Sequence, residues 1–388
     1  MNLIFISDGR YPDQTAEAIR HSTIAQGISE NGHMAKFFVL SPQVWKSAEI
    51  NYKGVNFKTF NEYAGKNSIL KVLNFYYALF KMNKEIKQIH KESPLDGIIV
   101  YSIFISVIQK TLTLGKKLNI KIFHERTELP SITGYSKSFL GRITYYYYIN
   151  KLIPNFNGIF VISDKLINFF KAYNRNIKKI LTVVDTDFFN NKFNPVFDFP
   201  YIAYCGTMKG EKDGVQILIR SFAKLLNQFP NFKLILIGNN SDKFSIKETI
   251  GTIENLDLKD KVIFTGLVAR EEMPGLLGNA VLLVVSKPDI EQNSANFPIK
   301  IGEYLSTGVP TVVTSVGEIH QFITDGENGF VAEPGSDESF YSKMLEALSD
   351  YERAKKIGLN GRVLAKKIFD YKIQSKLVTD FITEINKE

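Results

Sequence analysis

The sequence alternates short, continuously apolar segments with amphipathic helical patterns, and it does so twice. In the first half, apolar strands are predicted at Leu3–Ser7, His33–Leu40, Gly97–Tyr101, Ile120–His124 and Gly158–Ser163. In the second half they are predicted at Tyr201–Cys205, Leu234–Gly238, Val262–Thr265, Val281–Val285 and Thr311–Thr314. Strands without polar alternation are typical of parallel sheets that helices cover on both faces. The pattern therefore predicts two doubly wound, Rossmann-like α/β domains that face each other across a cleft.

The charge also divides the chain into two halves. Residues 1–184 contain 25 Lys and Arg against 12 Asp and Glu, a net charge of +13. Residues 185–388 contain 23 against 28, a net charge of −5. A difference this large between halves indicates two domains with different partners. We predict domains at 1–184 and 185–388, joined near Asp185–Phe199, with the last helix packing back on the first domain.

Composition excludes several kinds of site. With Cys205 as its only cysteine, the chain can form neither an internal disulfide nor a thiolate zinc or iron–sulfur site. The five histidines show no metal-binding spacing. No apolar run approaches the roughly 18–20 residues that span a bilayer, and no nucleic-acid-binding module is recognisable. We therefore predict a cytoplasmic protein in a reducing compartment, without a nucleic-acid partner.

A turn in the second half has the composition of a phosphate site. The segment Cys205–Gly214 leaves a strand, contains Gly206 and Lys212, and enters a helix. Glycines let the backbone approach a ligand, and a helix N-terminus offers N–H donors and a positive dipole end. The segment matches neither the Walker A nor the GxGxxG pattern, so an ordinary strand–helix turn with a surface lysine is the alternative.

A second segment places a cation and a carboxylate on one helix. Pro298 suits the first turn of this helix, and Lys300 would then lie near its positive end, which is unusual unless an anion binds there. Glu303 lies about one turn further in, and Gly308 suits the end of the helix. A carboxylate beside an anion site can bind a ribose diol while the helix end binds a diphosphate. The alternative is a capped amphipathic helix with a solvent-exposed glutamate.

The run from Glu303 to Val313, EYLSTGVPTVV, resembles the signature of the GT-B glycosyltransferases of family 4, which retain the anomeric configuration. Three more segments of the second half resemble that family's diphosphate loop, base-binding loop and "dG-x-nG" turn: Gly206–Phe222, Val262–Val268 and Ile323–Phe330. Outside these segments the resemblance is carried by Ser7–Pro12, Asn31–His33 and the interdomain segment Val183–Asp185.

The resemblance implies an enzyme that moves a sugar from a nucleotide-sugar to a glycan or lipid-linked acceptor in surface polysaccharide synthesis, with UDP favoured. It implies that the first domain binds the acceptor and the second the nucleotide-sugar. Catalytic roles are implied for His124, Lys212 and Glu303. The implied donor-binding residues are Gly206, Thr207, Lys212, Gly266, Leu267, Val268, Asn296, Phe297, Ile299, Lys300 and Glu303.

Each implied role concerns one part of the donor. Glu303 would bind the ribose hydroxyls, and Lys212 and Thr207 would bind the diphosphate together with the first backbone amides of the signature helix. The backbone at Gly266–Val268 would meet the base, and the backbone just before the signature helix would face the hexose. His124 would contact the donor sugar or the developing charge, with a structural histidine at a strand end as the alternative.

Two positions depart from the family pattern. The first carboxylate of the family's Glu–x7–Glu pair is Ala295 here, with Glu291 nearby, and the usual arginine after the loop glycine is Thr207. Lys300 is expected to compensate for the missing arginine. Two alternatives therefore stay open: a non-catalytic subunit that binds a nucleotide-sugar and supports an active partner, and a nucleotide-sugar 2-epimerase of the same fold.

We expect neither a metal nor another cofactor. Cations and helix N-termini can stabilise the charge that develops on a departing β-phosphate. Asp185-Thr186-Asp187 has the form of a DxD metal motif. It coincides with the interdomain segment, so we predict a hinge there.

Basic and aromatic residues alternate in two segments of the first half, 70–91 and 131–151. Such surfaces suit an anionic bilayer, so we predict peripheral binding at the inner face of the cell membrane, involving Lys137, Arg142 and Lys151. The alternatives are that these aromatic residues belong to the core and that lysine-rich codon usage explains the charge.

Overall fold

The computed structural model describes residues 1–13, 15–43, 48–62, 65–130, 138–189, 193–208, 211–238, 243–295 and 297–388. The chain divides into two compact units. Unit 1 comprises residues 1–183 and 371–388, and unit 2 comprises residues 184–370. The sequence predicted a boundary after residue 184, and the last helix is part of unit 1.

Unit 1 is built on an eight-stranded sheet in the order β3-β4-β2-β1-β5-β6-β7-β8. Its strands are β1 (Asn2–Ser7), β2 (Met34–Val39), β3 (Glu49–Tyr52), β4 (Val55–Thr59), β5 (Gly97–Val100), β6 (Ile122–Arg126), β7 (Gly158–Val161) and β8 (Ile177–Lys179). All neighbours are parallel except β3 and β4. The inner strands are buried along nearly their whole length, as the apolar runs predicted.

The helices of unit 1 cover both faces of its sheet. They are α1 (Ala16–Glu30), α2 (Ser68–Glu92), α3 (Ile105–Leu118), α4 (Phe139–Tyr147), α5 (Asp164–Phe170) and, at the end of the chain, α13 (Tyr371–Lys387); a π-helical turn, Tyr148–Leu152, continues α4. Right-handed crossovers place α2, α3 and α4 on one face, because β4, β5, β6 and β7 advance in one direction across the sheet. α1 connects strands in the opposite direction and packs with α13 on the other face.

Unit 2 is a six-stranded parallel sheet in the order β11-β10-β9-β12-β13-β14. Its strands are β9 (Tyr201–Cys205), β10 (Lys233–Ile237), β11 (Val262–Gly266), β12 (Leu282–Val285), β13 (Thr311–Thr314) and β14 (Phe330–Ala332). Its helices are α6 (Val215–Leu225), α7 (Lys243–Asn255), α8 (Met273–Gly278), α9 (Glu291–Ser294), α10 (Ile299–Thr307), α11 (Asp337–Ser349) and α12 (Tyr351–Ile368). The order reverses between β9 and β12, which is where ligands bind in sheets of this kind.

The predicted class, two Rossmann-like α/β domains, is confirmed. The hairpin β3–β4 corrects the expectation of an all-parallel first sheet. β4 buries alternate residues and the edge strand β3 buries none, so the search for continuously apolar runs passed over both. Among the described residues, no helix is both long and apolar enough to cross a bilayer.

Candidate functional site

The candidate site lies at the switch point of unit 2, where α10 begins. Pro298 precedes the helix, and its side chain caps none of the first amide groups. The first N–H groups of an α-helix have no intrahelical acceptor, and the dipole makes this end positive. The amides of Ile299 and Lys300, for which the sequence predicted contact with a diphosphate, are the first two of this helix.

Two lysine side chains lie beside this helix end, Lys287 buried and Lys300 half-buried. The Lys300 Nζ donates to the Tyr204 hydroxyl at 3.0 Å and lies 4.2 Å from the centroid of that ring. The Lys287 Nζ lies 3.4 Å from Asp213 Oδ1 and 3.3 Å from Asn293 Oδ1. Burial, together with repulsion from Lys300, lowers the pKa of Lys287 to about 8, against the attraction of Asp213. An arriving anion would relieve this repulsion.

The turn after β9 is shaped by glycines that leave room for this cluster. A Cβ on Gly206 would lie 2.5 Å from the Lys300 Nζ. Gly214 has a φ of +64°, and a Cβ there would lie 1.7 Å from the Ser286 carbonyl oxygen. Thr207 is exposed, and its hydroxyl donates to Asp213 Oδ2 at 3.0 Å. The close approach of the turn to Lys300 explains Gly206, and the packing of the turn against the Ser286 backbone, together with the positive φ, explains Gly214.

Lys212 contributes to the site through its backbone as well. Its carbonyl oxygen accepts from Asn293 Nδ2 at 3.0 Å and lies 3.4 Å from the Lys287 Nζ. Its charge adds to the repulsion that lowers the pKa values of Lys287 and Lys300. The three amines therefore act on one another around Asp213.

Glu303 is buried and forms an ion pair. The alternative interpretation of the sequence, a solvent-exposed glutamate on an amphipathic helix, is therefore excluded. Its Oε1 accepts from Arg270 Nη1 at 2.6 Å, and 8% of the residue is exposed. The Arg270 guanidinium lies 5.1 and 5.2 Å from the ring centroids of Phe188 and Phe189. This packing holds the arginine, and the arginine orients the carboxylate.

The residues predicted to contact the base and the hexose differ in their exposure to solvent. Gly266 turns the chain with a φ of +70°, Leu267 after it is 81% exposed, and Val268 is half-buried. Phe297 is fully buried against Phe322 and Phe369, so its side chain belongs to the core and only its backbone can face a ligand. The predicted contact at Asn296 lies outside the described residues.

His124 lies in the core of unit 1. Its Nδ1 is 2.7 Å from the Val100 carbonyl oxygen, its Nε2 is 2.7 Å from the Tyr148 hydroxyl, and its ring stacks on Phe156. Burial lowers its pKa to about 3, with a further contribution from Arg126. A neutral, structural histidine fits this geometry better than the predicted contact with the donor sugar.

The Asp185-Thr186-Asp187 segment is held by local contacts. Asp185 Oδ1 accepts from the Phe188 amide at 3.1 Å, and the Thr186 hydroxyl donates to Asp370 at 2.6 Å. Asp187 pairs with Lys366 at 3.8 Å. In the part of the chain that the structure describes, no three His, Cys, Asp or Glu side chains are grouped to hold a metal.

Comparisons with known proteins agree with the fold. The structure of Anabaena Alr3699/HepE with UDP and glucose superposes with a TM-score of 0.75 at 16% identity, over 99% of each chain. WaaG, described as a glycosyltransferase involved in lipopolysaccharide biosynthesis, gives 0.67 at 15% identity, over 98% of this chain and 99% of that one. The fold is thus that of the GT-B glycosyltransferases.

The family comparison matches the second half of the chain. Residues 185–364 match the family described as "Glycosyl transferases group 1", so this part of the chain is a glycosyl transferase group 1 domain, as predicted. N-acetyl-alpha-D-glucosaminyl L-malate synthase of Bacillus anthracis is 25% identical over 170 residues, 44% of this chain and 41% of that protein. The chain thus matches less than half the length of its first curated relatives.

Sequence reasoning missed Arg270 and Lys287. Arg270 stands in a 3-10 turn, Arg270–Glu272, after the predicted base-binding loop, and Lys287 follows β12. Both are charged residues that follow the carboxyl end of a strand in a parallel sheet. Because ligands bind at that edge of such sheets, this position could have identified both as candidate site residues.

Proposed function

We propose that the chain is a retaining glycosyltransferase that uses a nucleotide-sugar, with a UDP-sugar favoured. The observation that carries the proposal is the group of Lys287 and Lys300 beside the start of α10, with the carboxylate of Glu303 one turn further along. Cations and helix amides suit a diphosphate, and a buried carboxylate suits a ribose diol. The UDP in the Anabaena structure supports the choice of nucleotide.

The chemistry that this arrangement supports is departure of a nucleoside diphosphate. Breaking the bond between the anomeric carbon and the diphosphate places negative charge on a β-phosphate oxygen. Lys300, Lys287 and the amides of Ile299 and Lys300 are already fixed by the fold, so they can stabilise that charge without reorganising. We propose that Lys212 and Thr207 take part in this contact and that no metal is required.

For the acceptor we propose a glycan or a lipid-linked glycan at a membrane surface, bound by unit 1, as in surface polysaccharide synthesis. The net charge of +13 in residues 1–184 supports an anionic surface as the partner of that half. WaaG, named for lipopolysaccharide biosynthesis, supports the class of acceptor. Peripheral binding at the inner face of the cell membrane would bring the protein to such an acceptor.

One observation favours the non-catalytic alternative. Ala295 stands where the resemblance implies the glutamate that touches the transferred sugar, and it is 1% exposed. Glu291, at the start of α9, is exposed and lies four positions before Ala295, so it does not occupy the position that the resemblance implies for that carboxylate. A donor-binding subunit without transfer activity would keep the lysines and Glu303 and lack this carboxylate.

A donor panel distinguishes the two functions. Thermal unfolding is followed with UDP-, GDP-, ADP- and dTDP-sugars, and a ligand at 100 times its dissociation constant stabilises by about 2.7 kcal/mol. We expect UDP-sugars to raise the unfolding temperature and Glu303→Gln to reduce that rise. Mass spectrometry then measures free UDP formed by transfer or slow hydrolysis. Stabilisation without any UDP release would favour the non-catalytic subunit, and no stabilisation by any donor would overturn the proposal.

A further inference from the structure

Helix α2 exposes an apolar face along its first half. Ile69, Leu73, Tyr76 and Phe80 follow the i, i+4, i+7, i+11 spacing of one helix face, and each is more than half exposed. The residues that α2 buries, Ala78, Leu79, Met82 and Ile86, lie on its other side. The side of α2 that faces water is therefore the apolar one over about 17 Å, from a rise of about 1.5 Å per residue.

The same face becomes basic in the second half of the helix. Lys84, Lys87 and Lys91 continue the stripe at i+4, i+7 and i+11 from Phe80, and all three are exposed. Lys81 lies beside the stripe, with its Nζ 4.6 Å from the centroid of the Tyr77 ring. One helix face thus carries an apolar end followed by a cationic end.

Two further elements on this face of the sheet repeat that chemistry. Phe104, which precedes α3, is exposed and packs edge-to-face on Phe75 of α2, with ring centroids 5.6 Å apart. Helix α4 buries none of its residues, and Phe139, Leu140, Ile143 and Tyr146 are each at least half exposed. Arg142 within α4 and Lys151 after it are exposed as well. We call the exposed apolar and basic residues of α2 and α4, together with Phe104, the α2–α4 surface.

The charge of this surface selects its partner. Segments 63–84, 97–124 and 129–163 contain no aspartate or glutamate, so the apolar half of α2 and the whole of α4 carry cations without a carboxylate. The two acidic residues of α2, Glu85 and Glu92, lie at its basic end, and Glu85 pairs with Lys58 at 2.8 Å. Apolar patches of this extent on a protein surface mark binding sites. Aromatic and aliphatic side chains flanked by Lys and Arg suit the headgroup region of a bilayer that contains anionic lipid.

We propose that the α2–α4 surface inserts its apolar side chains into the interface of an anionic lipid bilayer while the lysines of α2 contact the headgroups. The inference deepens the proposed membrane-bound acceptor, yet it rests on unit 1 and stands apart from the donor site of unit 2. It differs in detail from the contact predicted from the sequence, because it places the apolar half of α2 at the bilayer. Of the basic residues predicted there, Arg142 and Lys151 are exposed, and Lys137 lies outside the described residues.

The test is co-sedimentation of the protein with phosphatidylcholine vesicles that contain or lack phosphatidylglycerol, at low and high salt. The first variant carries Ile69→Ser, Leu73→Ser and Phe80→Ser, and the second carries Lys84→Glu, Lys87→Glu and Lys91→Glu. A matched control replaces two exposed apolar residues of α12 in unit 2, Leu359→Ser and Val363→Ser. Circular dichroism checks that each variant is folded.

We expect the protein and the control to pellet with anionic vesicles and to bind neutral vesicles at least about tenfold less. The serine variant should lose binding at both salt concentrations, and the glutamate variant should lose the binding that salt screens. The proposal is overturned if the protein stays in the supernatant, if the control loses as much as the serine variant, or if gel filtration shows a dimer that the serine variant dissociates. UDP binding measured in the same variants keeps a failure here separate from a failure of the proposed function.

Discussion

Lys287 and Lys300 are amines that the fold buries close together. Burial is the largest cause of the lowered pKa of each, and Asp213 opposes the shift in both. A diphosphate favours the protonated form of an amine, so binding of the ligand and binding of protons assist each other. The cluster is therefore charged and strained by repulsion when empty, and an anion stabilises it.

Affinity for UDP should fall as the pH rises above about 8. The free Lys287 loses its proton near that pH, whereas a bound diphosphate raises its pKa, so binding takes up a proton and weakens with increasing pH. Calorimetry between about pH 7 and pH 9.5, in buffers of different ionisation enthalpy, measures affinity and proton uptake. Lys287→Arg, which stays charged, should flatten the profile. A wild-type affinity that is constant over this range would contradict the role of Lys287.

Replacing Glu303 by glutamine should weaken UDP-sugar binding by about 1.5–3 kcal/mol, because charge-assisted hydrogen bonds to the ribose are lost. Calorimetry measures this loss, and thermal unfolding checks the fold. Arg270→Gln is the matched variant, since it breaks the same 2.6 Å ion pair from the other side. If both variants lose stability equally and both bind UDP-sugar normally, then Glu303 serves only to hold Arg270.

His124 should affect stability in acid more than it affects turnover. Its pKa is about 3 in the folded protein and about 6.5 when unfolded, so below pH 6.5 the unfolded chain takes up a proton that the folded one excludes. Stability then falls with decreasing pH by up to about 1.4 kcal/mol per unit. Urea unfolding between about pH 6.5 and pH 4.5 should show a shallower slope for His124→Gln. A slope equal to that of the wild type, with activity abolished, would restore the catalytic assignment.

At the scale of elements, the site depends on the turn between β9 and α6 and on the start of α10. The turn passes close enough to α10 that Gly206 leaves no room for a side chain beside Lys300. Helix α10 is closed at its other end by Gly308, with a φ of +77°, before the chain enters β13. These two elements fix where the cations lie.

Gly206→Ala should therefore separate binding from folding. Its Cβ would meet the end of the flexible Lys300 side chain at 2.5 Å and the Tyr204 hydroxyl at 2.6 Å, so these groups shift while the sheet remains. We expect UDP affinity to fall by about tenfold with a small change in unfolding temperature, the cost of a displaced charged contact. Gly251→Ala on α7, where a Cβ meets open space, is the control. Unchanged affinity in Gly206→Ala would show that Lys300 is not needed at its observed position.

The sequence predicted those parts of the fold and site that local patterns encode. Apolar runs located the inner strands, and the glycine, lysine and glutamate spacing located the start of α10 and the turn after β9. The ion pair of Glu303 with Arg270 was not predicted, because Arg270 lies 33 positions away in the sequence and only the folded sheet brings the two together. The burial of His124 and of Phe297 was not predicted for a similar reason. The sequence places these residues at a strand end and before a helix start, but it does not reveal which distant residues pack over them.

At the scale of the whole molecule, the two units carry different chemistry. Unit 2 is a glycosyl transferase group 1 domain over residues 185–364 with a cationic cluster at its switch point. Unit 1 carries an exposed apolar and basic face on α2 and α4. The change of net charge from +13 to −5 along the chain follows this division, which fits a donor site in one unit and an anionic partner for the other.

The central claim is that fixed cations and helix amides of unit 2 bind the diphosphate without a metal. Calorimetry of UDP binding in excess EDTA tests it most directly, with wild type, Lys300→Met and, as a matched control, Lys261→Met, whose Nζ donates to the Pro230 carbonyl. We predict that wild type and control bind equally with and without EDTA, and that Lys300→Met loses about 1.5–3 kcal/mol. Binding that EDTA abolishes and Mn²⁺ restores, with Lys300→Met unaffected, would contradict the account and return Asp185 and Asp187 to consideration as metal ligands.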